Sequence, residues 1–298
     1  MKPTTYVLYH GGGCADGFTS AWIASLSLGR GPDVVYQPMQ YGQPYPPEID
    51  GGIDRLLILD FSFPRETMLR LARTVNSLVC LDHHRTAAQE LTRLNDLKEN
   101  DGRRCFLNVV FDMEKSGAML TWECFHPSEP APSLVELVQD RDLWVWALPY
   151  SREISAWLAS LKKDFPTWDW ANDQLNSAFG RTAAVAEGGA ILRAQAAQVE
   201  SLAKSARFID VGGHSVPAVN SPLLQSEIGE RLCQLHPEAP FAAVFFLRVC
   251  DNAWLAEEII FSLRSRNGFD VSEVAKQFGG GGHSAAAGFS MKGKGRLS

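Results

Sequence analysis

Leu78-Val79-Cys80-Leu81-Asp82-His83-His84 runs four apolar residues straight into one carboxylate and two imidazoles. A short apolar run bounded in this way reads as a buried strand whose last residues emerge from the sheet. Two other segments repeat the arrangement. Tyr6-Val7-Leu8-Tyr9 leads into His10 and, past Gly11-Gly12-Gly13, Asp16, while Leu56-Leu57-Ile58-Leu59 leads into Asp60. Open α/β sheets bind ligands at the C-terminal ends of their strands, and here three such ends carry metal-ligating residue types.

Working outward, strand-like runs at 6–10, 56–60, 78–82 and 106–111 alternate with helical stretches near 16–28, 64–76 and 116–126. Pro64 suits the first turn of the second helix, where its missing N–H is not needed. Alternation with short loops predicts parallel strands joined by right-handed crossovers. A further apolar segment, Leu134 to Val138, ends in Asp140-Arg141-Asp142-Leu143-Trp144. From 151 to 206 the pattern is helical and ends in an Ala-rich stretch, Thr182 to Arg207. Beyond it the reading is again mixed α/β, with strands at 216–219, 241–249 and 254–263 and helices near 224–235 and 271–278. The run Gly279 to His283 follows, and the tail from Met291 to Ser298 reads as frayed. The expected organisation is an N-terminal parallel-sheet domain over 1–150, a helical connector over 151–206, and a smaller mixed α/β domain over 207–298. The active site is expected in the cleft between the two domains.

Composition sets mild bounds. The 298 residues contain 45% hydrophobic and 21% charged residues, an ordinary balance for a water-soluble chain. Lys plus Arg number 28 against 34 Asp plus Glu, a formal charge of −6, which argues against a protein held along long duplexes by a basic face. A small phosphorylated substrate stays compatible, because bound divalent ions reverse the local field. The six cysteines (Cys14, Cys80, Cys105, Cys124, Cys233 and Cys250) form no CxxC pair, which fits reduced thiols in the cytoplasm. The chain enters a strand almost at once, so no signal peptide is expected, and no apolar run is long enough to cross a bilayer.

Carboxylates and imidazoles suit divalent first-row ions, and a shared carboxylate can bridge two of them. Two ions about 3.5–4 Å apart activate a water and stabilise the leaving oxygen in phosphoryl hydrolysis. His10, Asp16, Asp60, Asp82, His83, His84, Asp140 and Asp142 form an inventory large enough for such a centre. The plainer reading, helix-capping aspartates and ordinary polar histidines, suffices for any one of them alone but not for the set. Two rival motifs fail. A phosphate-cradling P-loop needs a Lys that Cys14-Ala15-Asp16-Gly17 does not supply. The esterase order of Ser, acid, then His is not met, because no His follows Ser284.

These residues resemble the DHH phosphoesterase superfamily, which includes RecJ-type exonucleases, oligoribonucleases acting on very short RNAs, cyclic-dinucleotide phosphodiesterases and family II pyrophosphatases. His10 to Gly17 is similar to its first motif, Asp60 to the second, Asp82-His83-His84 to the third and Asp140-Arg141-Asp142 to the fourth. Gly279 to Phe289 resembles the signature of the DHH-associated C-terminal domain. The resemblance implies two Mn(II) ions, with Mg, Co or Fe as substitutes. Asp60 would bridge them, His10 would ligate one, and Asp16, His83 and a fourth-motif carboxylate would ligate the other. Asp140, which directly follows the apolar run, is preferred over Asp142 for that last role. Asp82 and His84 would orient His83 and place a donor beside the phosphate, and His84 would also act as an acid toward the leaving group. One departure stands out: the family usually has an Asp where this chain has Cys14. A thiolate there would favour softer ions, whereas a neutral thiol would weaken the first site.

The C-terminal domain should choose the substrate. Gly280, Gly281 and Gly282 would let backbone N–H groups approach a phosphate, with His283 as a further donor. Arg264 and Arg266 are candidates for a second phosphate clamp. The plainer readings are a flexible turn for the glycines and solvated charge for the arginines. Trp144, Trp146, Trp157, Trp168 and Trp170 are expected mainly in the core, some stacking on bases. The resulting expectation is a cytoplasmic, metal-dependent phosphodiesterase, without membrane or long-duplex partners and compatible with a homodimer. A metal-bound hydroxide would hydrolyse short oligonucleotides or cyclic or linear dinucleotides. The alternatives are a nucleotide phosphomonoesterase of the phosphoadenosine-phosphate type and a non-catalytic nucleotide-binding regulator with a degraded metal site.

Overall fold

A computed structural model describes residues 4–94, 105–249, 256–266 and 268–292. It divides into two units, Met1–Leu192 and Arg193–Ser298. Both halves of the fold-class expectation hold, a parallel sheet in the first unit and a mixed sheet in the second.

In the first unit, β1 (Thr5–His10), α1 (Ala15–Leu28), β2 (Val34–Met39), β3 (Arg55–Leu59), α2 (Arg65–Thr74), β4 (Ser77–Asp82), α3 (Arg85–Glu90) and β5 (Phe106–Phe111) come first. The strands are all parallel in the order β2-β1-β3-β4-β5. Helices α4 (Gly117–Phe125), α5 (Ser133–Asp142), α6 (Ser151–Ser160) and α7 (Phe165–Asn176) follow, and α8 (Ala178–Ala203) runs across the boundary between units. The apolar runs are unbroken because each strand is buried on both faces. Val7, Tyr9, Leu57 and Leu59 pack with Trp22 of α1, Leu120 of α4 and Trp157 of α6. Their neighbours Tyr6, Leu8, Leu56 and Ile58 pack on the other face with Met68 and Leu71 of α2. Strand order reverses between β1 and β3, the switch point at which such sheets bind ligands, and His10 and Asp60 emerge there.

Differences from the sequence reading have local causes. β2 is an edge strand interrupted by Pro38, so its pattern is not that of an apolar run. Pro64 is the residue capping α2 rather than part of its first turn, with ψ of 151°. Trp157 and Trp168 are core residues, whereas Trp170 is 47% exposed.

The second unit contains β6 (Arg207–Val211), β7 (His214–Asn220), α9 (Gln225–Leu235), β8 (Ala242–Val249), β9 (Ala256–Arg264), α10 (Val271–Gln277), β10 (Gly281–Gly282) and β11 (Ala286–Lys292). The sheet order is β10-β11-β9-β8-β7-β6, antiparallel except for β7 beside β8. Val274 and Ala275 of α10 pack on one face of this sheet, and Ile228 and Leu232 of α9 on the other. Trp254, where a strand start was expected, Cys250 and the tail beyond Lys292 lie outside the described residues.

Candidate metal centre

Asp60 stands at the middle of the first unit's site. It follows β3 in the left-handed region, φ 60°, a conformation that costs a non-glycine residue about 1–3 kcal/mol and turns its side chain away from the strand path. Its backbone N–H is held by Leu81 O at 2.8 Å. Oδ1 of Asp60 lies 3.1 Å from His83 Nε2. Oδ2 lies 3.3 Å from His10 Nδ1 and accepts a hydrogen bond from Cys14 Sγ at 3.4 Å. His83 Nε2 is also 3.3 Å from Asp142 Oδ2 and 3.8 Å from Asp16 Oδ2. Two groups therefore share one carboxylate: His10, Cys14 and Asp60 on one side, Asp16, Asp60 and His83 on the other.

Neighbouring elements fix these side chains. Both carboxylate oxygens of Asp16 accept from the start of α4, Gly117 N at 2.6 Å and Ala118 N at 2.9 Å. Asp82 Oδ1 accepts from His83 N at 2.7 Å, His84 N at 3.1 Å and His84 Nδ1 at 2.7 Å. Its other oxygen accepts from Ser62 Oγ at 2.9 Å. Asp82 thus shapes the turn after β4 and orients the His84 ring.

Of the two fourth-motif carboxylates, the structure brings Asp142 rather than the preferred Asp140 next to His83. Asp140 accepts from Ala147 N at 2.9 Å and Leu148 N at 3.3 Å, closing the turn after α5, and Asp142 is the carboxylate that reaches His83. Two residues along a helix are turned about 200° apart, so adjacency to the apolar run does not select the residue that faces the site. That turn carries three non-glycine residues at positive φ, Trp144, Trp146 and Tyr150. Arg141 lies 4.1 Å over the Trp144 ring, and Arg152 lies 4.3 Å over that of Trp146.

Asp16, Asp60, Asp82 and His83 are all at most 1% exposed, and the Asp142 side chain keeps 28%. Burial, then the charges of Asp60 and Asp142, push Asp16 well above the carboxylate range. Asp142 is raised by loss of surrounding water and by Asp60, against the pull of His83. Burial alone would raise Asp60, but His10 and His83 carry it well below the usual range. Burial also opposes a proton on His83, yet Asp60, Asp142 and Asp16 raise it to about 10. Burial and the same three carboxylates keep Cys14 a neutral thiol. A set of buried carboxylates competing for the protons of two imidazoles is a set that a divalent cation would satisfy, and its oxygen and nitrogen donors suit Mn(II) and its neighbours. The residues therefore fit a metal centre.

Four contributors were not read from the sequence. Ser62 and the α4 N-terminus act through backbone and hydroxyl groups, for which only Ser116-Gly117 before an apolar helix was a cue. Tyr41, on the turn after β2, has its ring 5.5 Å from that of His10 and 5.7 Å from that of His84. Lys163, half-buried between α6 and α7, interacts electrostatically with Cys14.

In the second unit, Gly280 N donates to Ala275 O at 2.9 Å, and Gly281 and Gly282 pair with β11. A Cβ on Gly280 would collide with the Gly288 carbonyl, so packing by itself requires glycine there. His283 N donates to Ala286 O at 2.8 Å. Arg264 lies against α9 at Gly229 and donates to Ser226 Oγ at 2.7 Å, and Arg266 pairs with Glu230. Residues 223–298, which include all of these, match the DHHA1 domain family. The chain belongs to the DHH phosphoesterase superfamily. It is 30% identical over 305 residues to the uncharacterized protein R106 of Acanthamoeba polyphaga mimivirus, covering 96% of this chain and 67% of that one. It is also similar to the pGpG-specific phosphodiesterase PggH of Vibrio cholerae (12% identity, 97% of this chain, 93% of the other, TM-score 0.46). A manganese-bound exonuclease RecJ is similar at 19% identity, covering 97% of this chain and 86% of the other with a TM-score of 0.47. Among the described residues of this DHH phosphoesterase, no helix is long and apolar enough to cross a membrane.

Proposed function

We propose that this chain is a divalent-metal-dependent phosphodiesterase that hydrolyses short oligonucleotides or dinucleotides. The observation that carries the reading is Asp60, whose two oxygens face two separate groups of ligating atoms. Asp16, Asp60, His83 and Asp142 would hold one Mn(II)-type ion, with His10 and Asp60 beside Cys14 holding a second, weaker one. Bound there, such ions supply activation of the attacking water and neutralisation of charge at phosphorus. The chain's own residues do the rest. Asp82 holds the His84 ring through Nδ1, which positions that ring to donate a proton to the leaving oxygen. His283 and Arg264 of the DHHA1 unit, with the glycines before His283, are the groups for phosphate, and Arg266 would join them on leaving Glu230.

The test is hydrolysis of a 5′-phosphorylated RNA dinucleotide by metal-stripped protein, with and without added Mn(II). Manganese-dependent release of mononucleotides supports the reading, and no release from protein shown to hold the metal sinks it. One observation favours a second reading, a nucleotide-binding regulator: Cys14 is a neutral thiol that spends its proton on Asp60. Protein that binds nucleotide but takes up no divalent ion would make that reading the better one.

A further inference from the structure

We propose that Tyr41 is the stacking surface for the nucleobase next to the scissile phosphate, a subsite that rests on the phosphodiesterase reading and names the part of the substrate that it selects. Three observations support it. First, Tyr41 is 55% exposed although it is a large aromatic residue beside a buried site, so the ring is displayed rather than folded into the core. Second, its partners are the site itself: the His10 ring at 5.5 Å and 69°, the His84 ring at 5.7 Å and 78°, and Phe61, which follows Asp60, at 6.4 Å and 89°. A planar group resting on Tyr41 would therefore lie within one nucleotide of the phosphate that His84 serves. Third, the display is built in advance. Gln43 N donates to Gln40 O at 3.1 Å, Gln40 N donates to Gln43 Oε1 at 3.0 Å, and Gly42 takes the positive φ of 83° that closes the turn. The turn is tied to the end of β1 by Gly11 N donating to Met39 O at 2.8 Å. A ring held in place before binding loses little freedom when a ligand covers it.

The tryptophans of the turn after α5 and of the core are less available. Arg141 covers Trp144 and Arg152 covers Trp146. Trp157 and Trp168 are buried. Among the described residues the Tyr41 hydroxyl makes no hydrogen bond, which leaves the ring as its contribution. Base–aromatic stacking tolerates any base, so Tyr41 would select a nucleotide over a bare phosphate ester without choosing among sequences.

The experiment compares adenosine 5′-monophosphate with ribose 5-phosphate binding to the full-length, manganese-loaded protein by calorimetry, for wild type, Tyr41→Phe and Tyr41→Ala. Adenosine monophosphate should bind roughly 10-fold tighter than ribose phosphate to wild type and Tyr41→Phe, and that gap should collapse in Tyr41→Ala. In parallel, KM for an RNA dinucleotide should rise by a similar factor in Tyr41→Ala, with KM for its abasic counterpart unchanged. A gap that survives Tyr41→Ala, a gap already lost in Tyr41→Phe, or no preference for adenosine monophosphate in wild type overturns the stacking role. If wild type prefers adenosine monophosphate through Tyr41 but cleaves no dinucleotide, the subsite stands and the phosphodiesterase reading falls.

Discussion

The two oxygens of Asp60 face differently charged surroundings. Oδ1 looks onto His83 with Asp16 and Asp142 close behind, so a cation on that side meets two further carboxylates. Oδ2 looks onto His10 and the neutral Cys14 thiol, with the Lys163 ammonium interacting with that thiol. The same bridging residue thus joins a strongly cation-attracting side to one with almost no anionic charge of its own. The difference teaches that counting ligand-type residues overestimates the second side, where the usual carboxylate is a thiol and a lysine stands near. One tight ion and one weak ion, rather than an equal pair, is the expected population.

Breaking both sides at once should have the largest effect: Asp60→Ala removes the shared carboxylate, and manganese-dependent hydrolysis of a dinucleotide should fall to background, with calorimetry showing loss of the tight ion. Next comes the tight side alone. Asp142→Asn should weaken manganese binding by roughly 100-fold or more, because even outer partners of a metal ligand contribute about 10- to 100-fold. Asp140→Asn should lower it only about 10-fold, by loosening the turn at 145–148, and should alter the near-ultraviolet signal of Trp144 and Trp146. Equal losses in the two variants, with that signal unchanged, would restore Asp140 as a ligand. On the weak side, Cys14→Asp should raise manganese stoichiometry toward two per chain at the same free concentration. An unchanged stoichiometry would show that the thiol is not what limits it.

The smallest effect is that of pH on metal-free protein. The folded-state pKa of His83 is raised to about 10, above its ordinary value of about 6.5. The stability from that proton is complete below about pH 6.5 and is lost as pH rises through about 10. Raised Asp16 and Asp142 act in the same direction at lower pH, since the folded chain again holds protons more tightly than the unfolded one. The melting temperature of metal-stripped protein should therefore fall between pH 6.5 and 10. Manganese affinity should rise over the same window, because the ion displaces the His83 proton. A flat melting profile would contradict the proton on His83.

Much of this was legible in the sequence because burial on both faces of a parallel sheet writes an unbroken apolar run, and the residue after it must leave the sheet. His10, Asp60, Asp82 and His83 were found in this way, and the structure brings them together. What the sequence did not disclose depends on rotation and on distant packing. Asp140 and Asp142 differ only by their turn around α5. Tyr41 and Lys163 sit in loops with no pattern of their own, and tertiary contacts alone carry them to the site. The glycines at 280–282 were visible, but their engagement with Ala275 and β11 was not, because a strand of two residues leaves no periodicity.

Helix α4 begins so close to Asp60 that a Cβ on Gly117 would stand 2.5 Å from the Asp60 Cβ. That single hydrogen atom in place of a methyl group makes residue 117 a silent partner of the chemistry. A natural variant or distant relative could keep every carboxylate and imidazole named above and still be inert through one added carbon. Surveys of this superfamily that score members by their ligands alone would count such a chain as active, so the pairing of 60 with 117 belongs in any judgement of which members still work.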